Sequence, residues 1–498
     1  MIDITAQVKT NEEEFVSVET SRSLVKNLNI WEAIGISVAL MAPSMAANIN
    51  PQGTATTVGR AVPLAFALAT AGVLLVAYGF VRLCQNFHHA GSVYGFVGAT
   101  MGPRSGVVAG WGLMGTYIFY GGVTSMAAGI FGTKFLDELG VWKHQPAWSG
   151  FLVGGIAIVL AYLLAVVPAR NGTRILLTVE GITVTLIVIT AIIIFAKLAG
   201  GSAPGGHKVD MSVFSIPSGT GTSSVFLGVV FGFLSFAGFE AASTLGEEAK
   251  NPRKDIPRAI LGTAIFGGIY FVLVTAVEVM GFGTDAAGVK AFIGSGSLMG
   301  DLGTSYVASW VGTTITLGAA LSAFGCLLAC VVGASRLLFA LGRDSGSERL
   351  SRVSVKNGTP ATATMFIVVA VAVIDFGWKL IWHVQPFDVF VGSGVIGTLI
   401  LLVAYALATI GAVKFLFFTG AKKAKSWEIV IPIAGLILLA YTLYRNVIPF
   451  PTSGAARAYP IVGALWLLIG AIGVIARPGL AAKVGAKLTA DENLAAAR

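Results

Sequence analysis

Charge is what this sequence has least of. Lys, Arg, Asp and Glu make up 11% of its 498 residues, against about 25% in soluble globular domains. A water-facing surface large enough for an ordinary domain of this length is therefore excluded. Cysteine is scarce as well: three residues rule out a disulfide framework. Cys326 and Cys330, four apart on one helical face, read as small packing residues. The five histidines, His88, His89, His144, His207 and His383, fall in or beside loops. None pairs with a cysteine or carboxylate at metal-ligand spacing, so neither a metal site nor a cofactor is expected. The chain has no phosphate-binding loop and no nucleophile with a nearby base, which argues against an enzyme. No secretory signal is expected, since residues 1–29, with Glu12, Glu13 and Glu14 in a row, read as a polar tail.

What is there is apolar. Hydrophobic residues reach 55% and mean hydropathy is +0.82. At roughly 20 residues per helical crossing, the length accommodates about a dozen spans, and hydropathy with the helix breakers places twelve. Only the polar stretch 84 to 105 between the second and third is expected to lie along the surface. Of the 33 basic residues, most fall in alternate connections, together with both tails. That asymmetry predicts both termini on the cytoplasmic side of a cell membrane. The pI near 9.4 thus reflects topology, with anionic lipid as the incidental partner and nucleic acid not expected.

Two spans carry breakers where a lipid-facing helix would not tolerate them. In the first, Ala42-Pro43-Ser44 sits at mid-depth, and Pro43 removes a donor and disturbs the carbonyl four residues earlier. In the sixth, Ser235-Phe236-Ala237-Gly238-Phe239-Glu240 places a glycine and a carboxylate near the centre. Broken segments at corresponding positions of two halves point to a transporter site built on inverted repeats.

From Phe236 to Ile260 the sequence reads F-A-G-F-E-A-A-S-T-L-G-E-E-A-K-N-P-R-K-D-I-P-R-A-I. This resembles the amino acid, polyamine and organocation (APC) permease family, in which G-F-E on a broken sixth helix is followed by E-x-x-x-P-x-x-x-I-P-R-A-I. Further matches are Ala90-Gly91-Ser92-Val93-Tyr94, Met101-Gly102-Pro103, Gly110-Trp111, Ser335-Arg336 and Leu341-Gly342-Arg343-Asp344. The resemblance runs from about Lys26 to Arg477. It implies an all-α polytopic membrane protein with twelve transmembrane helices, a LeuT-type 5+5 inverted repeat and two peripheral helices. On that plan residues 1–29 are a cytoplasmic tail, 30–200 the first five-helix repeat, 201–412 the second, 413–477 spans eleven and twelve, and 478–498 a cytoplasmic tail. The sequence also departs from the family. Ala42-Pro43-Ser44-Met45-Ala46 stands where many members have G-x-G. Leu234 stands where many members have an aromatic lid, so that either Phe236 or Phe233 takes that role or the site closes less tightly. Glu180 stands where proton-coupled members have a lysine on the fifth helix.

Candidate site residues follow. The amides after Ser44, at Met45 and Ala46, start a half-helix suited to a carboxylate, and carbonyls at Phe233, Leu234, Ser235 and Phe236 suit an ammonium. Ala42, Pro43, Ala237 and Gly238 form the breaks, while Met45, Phe239, Tyr117, Tyr120 and Ser322 are the candidates for side-chain selectivity. Glu180 and Glu240 are the candidates for coupling. Glu240 serves either the backbone donors freed in its own helix or the substrate and proton directly. The expected function is import of a small amino acid or related amine by alternating access, coupled to protons, by a monomer or homodimer. A neutral amino acid ranks first, a monoamine second and a polyamine third. An obligate exchanger and a non-transporting sensor are the alternatives.

Overall fold

The computed structural model describes residues 29–87, 93–167, 170–245, 249–354, 359–452 and 454–486. The 1–28 and 487–498 parts of the tails, His88, His89, Ala90-Gly91-Ser92, and Glu247 with Glu248 of the sixth-span motif lie outside them. The described residues are helical without strands. In chain order the helices are α1 (Ile30–Met41), α2 (Pro43–Val58), α3 (Val62–Asn86), α4 (Val93–Met101), α5 (Pro103–Glu138), α6 (Ser149–Ala165), α7 (Arg170–Ala199) and α8 (Val225–Phe236). They continue as α9 (Pro252–Phe282), α10 (Ala286–Ile293), α11 (Leu298–Tyr306), α12 (Ser309–Ser345), α13 (Ala361–Trp382), α14 (Pro386–Val413), α15 (Val430–Val447) and α16 (Ala458–Ala476).

Nine helical stretches among the described residues are long and apolar enough to cross a membrane, and Ile30–Asn86, at 57 residues, holds two of the expected segments. The apolar α6 is shorter, at 17 residues, and the glycine-rich α5 is not among the nine. Apolar side chains cover the outer faces, as with Ile156, Val159, Leu160 and Leu163 on α6 and Leu465, Leu468, Ile469 and Ile472 on α16. Exposed apolar belts of this extent need lipid. The chain is a multi-pass membrane protein.

Without a hydrophobic drive between helices in lipid, association rests on close packing of small residues. The 36-residue α5 supplies them at the centre of the bundle. Gly129 abuts the Gly150 backbone of α6, Gly121 seats Val371 of α13, and Gly115 seats Trp466 of α16. Trp111 and Trp466 stack at 4.8 Å and exchange indole donations to each other's backbone carbonyl, at 2.7 and 2.9 Å. These contacts tie α16 to α5.

The piece expected on the surface is instead largely helix α4, and it is buried: Phe96 is 1% exposed and packs edge-on against Phe80 at 6.0 Å. Its glycines explain this, since Gly98 lets α4 press against Gly106 of α5. Glu32 closes the start of α1: its carboxylate accepts from Asn29 N at 2.8 Å while Asn29 Oδ1 accepts from Glu32 N at 3.0 Å, a capping box.

Candidate substrate site at the two broken helices

Between α1 and α2, Ala42 takes a left-handed conformation (φ 46°, ψ 56°) and Pro43 opens α2. A proline costs least at a first helical position, where an amide would lack a partner anyway. The carbonyl it displaces, Ala39 O, accepts instead from Ala42 N at 3.1 Å. Every amide at this new helix start is engaged. Ser44 N donates to Glu180 Oε1 of α7 at 2.8 Å, Met45 N donates to Ser322 Oγ of α12 at 3.3 Å, and Ala46 N closes onto Ala42 O at 2.8 Å. The amides directed away from the helix are thus those of Ser44 and Met45, and that of Ala46 is inside it. Ser44 Oγ, fully buried, has no hydrogen-bond partner.

The second break follows α8. Ala237 (φ −57°, ψ 123°) leaves the helix and Gly238 turns at φ 104° before a 3-10 stretch, Ala241–Leu245. A Cβ on Gly238 would stand 2.9 Å from Leu40 Cβ and 3.1 Å from the Leu40 carbonyl carbon, so the second break presses on α1 just before the first. Glu240 accepts from Tyr405 Oη of α14 at 2.9 Å. Ser235 Oγ accepts from Asn50 Nδ2 of α2 at 2.7 Å and donates to Phe231 O at 2.8 Å.

The fold thus brings Ala42 to Ala46, Glu180, Ser322 and Gly238 together. The aromatic candidates disperse into the packing. Phe233 lies against Gly72 of α3, Phe236 meets Phe271 of α9 edge-on at 5.5 Å, and Phe239 sits between Phe80 and Tyr405. Leu234 packs toward Gly394 of α14. Tyr120 shares a hydrogen bond with Thr398 at 2.9 Å, and Tyr117 lies half-buried against Gly333. Ala237 is half-buried at the turn itself and Met45 is 4% exposed.

Two broken helices, with a buried carboxylate on one break and a second carboxylate beside the other, describe a site; kinship decides the family. The family model for amino acid permeases matches residues 30–477. The chain belongs to the amino acid permease family. Among its relatives, the branched-chain amino acid permease BcaP of Bacillus subtilis is 28% identical over 368 residues, 72% of this chain and 74% of the relative. The low-affinity putrescine importer PlaP of Escherichia coli is 26% identical over 375 residues, covering 74% and 78%. The cationic amino acid transporter 6, chloroplastic, of Arabidopsis thaliana is 21% identical over 458 residues, covering 90% and 75%.

In this permease α2 carries more polar work than its sequence advertised. Asn48 Nδ2 donates to Ser44 O at 2.8 Å, while its Oδ1 accepts from Ser297 Oγ at 2.8 Å, Met299 N at 2.9 Å and Gly300 N at 3.3 Å. Ser297 makes no side-chain cap of its own on α11, so Asn48 caps that helix from a distant part of the chain. Gln52 Nε2 donates to Phe292 O at 3.1 Å and Ser295 O at 2.5 Å. The run Asn48-Ile49-Asn50-Pro51-Gln52, polar inside a span, was the signal available for these residues. Tyr270, whose hydroxyl donates to Pro43 O at 3.4 Å, had none.

Further polar contacts lie near α11. Lys134 of α5 pairs with Asp301 of α11 at 2.9 Å. Asp210 accepts from Thr284 Oγ1 at 2.6 Å and from Ser212 N at 2.9 Å, bonds that hold its carboxyl below the usual carboxylate range. Apart from the two breaks, Asp375 of α13 is fully buried between α5 and α14. Its Oδ2 accepts from Ser125 Oγ at 2.5 Å, and its Oδ1 and the nearby Ser393 Oγ have no partner. Glu278 of α9 is likewise buried, with neither oxygen bonded.

Proposed function

We propose that this permease is a secondary transporter that imports a small amino acid or related amine across a cell membrane by alternating access, driven by protons. It crosses the bilayer twelve times with both termini cytoplasmic, residues 30–200 and 201–412 being inverted repeats and the spans within 413–477 peripheral. The substrate lies between the breaks at Ala42 to Ala46 and Ser235 to Phe239, with Ser322 at its flank. Glu180 is the coupling residue, and Glu240 holds the second break. The single observation that carries this is the bond from Glu180 to the Ser44 amide. It sets an ionisable side chain, buried at membrane depth, on the half-helix end where family members receive substrate. Two further supports are the amino acid and putrescine carriers among the relatives.

Uptake into proteoliposomes tests it. An inward proton gradient is expected to accelerate accumulation of a transported amino acid or amine by roughly tenfold over no gradient, and Glu180→Gln is expected to lose that acceleration. Binding without accumulation would make the protein a sensor. Accumulation only into vesicles preloaded with substrate would make it an obligate exchanger. An unchanged gradient response in Glu180→Gln would remove Glu180 from the coupling.

A further inference from the structure

At the first break the seat for an anion is already taken. Of the outward-directed amides, that of Ser44 is held by Glu180 at 2.8 Å and that of Met45 by the weaker acceptor Ser322 Oγ at 3.3 Å. The buried Ser44 hydroxyl beside them has no partner. The groups facing Glu180 are Ser44 from α2, Ser322 from α12 and the Tyr270 phenol of α9, which is also within electrostatic reach of Glu278. Among the described residues no cationic side chain acts on Glu180. A ligand carboxylate bound here would therefore meet an ionised Glu180 on the same donors with nothing to offset two negative charges. Two carboxylates sharing one site cannot both ionise.

We propose that Glu180 and the carboxylate of an amino acid substrate occupy this one seat in turn, and that the exchange takes up one proton. Without ligand, ionised Glu180 accepts from Ser44 N. When the amino acid arrives, a proton from solvent adds to the Glu180 carboxylate, and its bond to Ser44 N breaks. The ligand carboxylate then accepts from the Ser44 amide, from the Ser44 hydroxyl, and from the Met45 amide as it leaves Ser322 Oγ. On release the carboxylate departs, the proton leaves Glu180, and Glu180 returns to Ser44. Charge balances at each step, and coupling is a consequence of exclusive occupancy. This rests on the transporter reading above and specifies its ligand as a carboxylate-bearing one.

The test is a binding titration on purified full-length protein at several pH values, with two matched pairs chosen from the chemistry in the relatives' names: leucine with isopentylamine, and ornithine with putrescine. Each second member lacks the carboxylate. One linked proton requires the affinity of the amino acid that binds to rise about tenfold per pH unit lowered, or about a hundredfold from pH 8 to pH 6. The matching amine should bind more weakly and show no such slope. In Glu180→Gln, whose amide oxygen can still accept from Ser44 N, the amino acid slope should vanish. A flat profile for the amino acid in the wild type, or an amine that binds more tightly than its parent, overturns the proposal. So does a slope that persists in Glu180→Gln. The wild-type pair decides even where the variant fails to fold. If none of the four compounds binds while the protein is folded, the assignment of the breaks as a site for these ligands falls, an outcome distinct from binding without a slope.

Discussion

Gly238→Val is expected to abolish ligand binding in a protein that still inserts and purifies as a single species. The cause differs from simple filling of the site. At φ 104° a residue with a side chain is strained by about 1–3 kcal/mol. The added Cβ would also stand 2.9 Å from Leu40 Cβ and 3.1 Å from the Leu40 carbonyl carbon. Backbone cannot rotate aside as a side chain does, so α1 must move, and overpacking of this kind costs about 1–3 kcal/mol more. These costs fall on the fold; affinity falls, on the order of a hundredfold, because Leu40 is two residues from Ala42 and displacing it spoils the amide geometry at Ser44. Isothermal titration on monodisperse protein measures this. Wild-type affinity in folded Gly238→Val would show that the contact between the breaks does not shape the site.

Asn48→Leu should be nearly as damaging, through a different route. Leucine matches asparagine in size but accepts nothing. The hydroxyl of Ser297 and the amides of Met299 and Gly300 would then lose a shared acceptor in a buried place. Each unsatisfied buried donor costs about 1–3 kcal/mol, and two of the three are the orphan amides at the start of α11. The expected result is a thermal midpoint lowered by several degrees, faster proteolysis in the loop from 294 to 297, and uptake reduced more than tenfold. Asn48→Asp, which keeps the acceptor but sets a carboxylate oxygen against Ser44 O in a buried place, should recover only part of the stability. Equal thermal midpoints for wild type and Asn48→Leu would mean that α11 is held by other contacts, such as the Lys134 pair with Asp301.

Much of this was legible in the sequence, and the boundary between legible and hidden is physical. Pro43 and Gly238 announce breaks because proline cannot donate and glycine tolerates φ values that other residues avoid, and both are properties of the residue itself. Glu180 announces burial because nothing around it is polar enough for a surface. Its bond to Ser44, 136 residues away, depends on how α7 packs on α2, which no local pattern encodes. The aromatic residues fail for another reason. Helical periodicity assigns a facing only while the helix continues, and Ala237 and Gly238 are not helical. Phe239 therefore turns toward Phe80 and Tyr405, and extrapolating the register of α8 across the break gives it the wrong neighbours. Phe96 misled similarly, since the polarity around it concealed how closely Gly98 and Gly106 approach.

Asp375 bears on biogenesis. A carboxylate inside an apolar helix penalises entry of that helix into the bilayer by about 2.5–3.5 kcal/mol at the centre, and within α13 only Lys379, one turn later, can share that cost. The hydrogen-bond donor to Asp375, Ser125, lies on α5 and has emerged from the ribosome long before it. The orphan hydroxyl of Ser393 follows on the next helix, α14. Insertion of α13 is therefore helped by an already placed first half and completed by the segment that comes after it. One buried carboxyl group thus ties a late helix both to an early one, α5, and to the helix that follows it, α14.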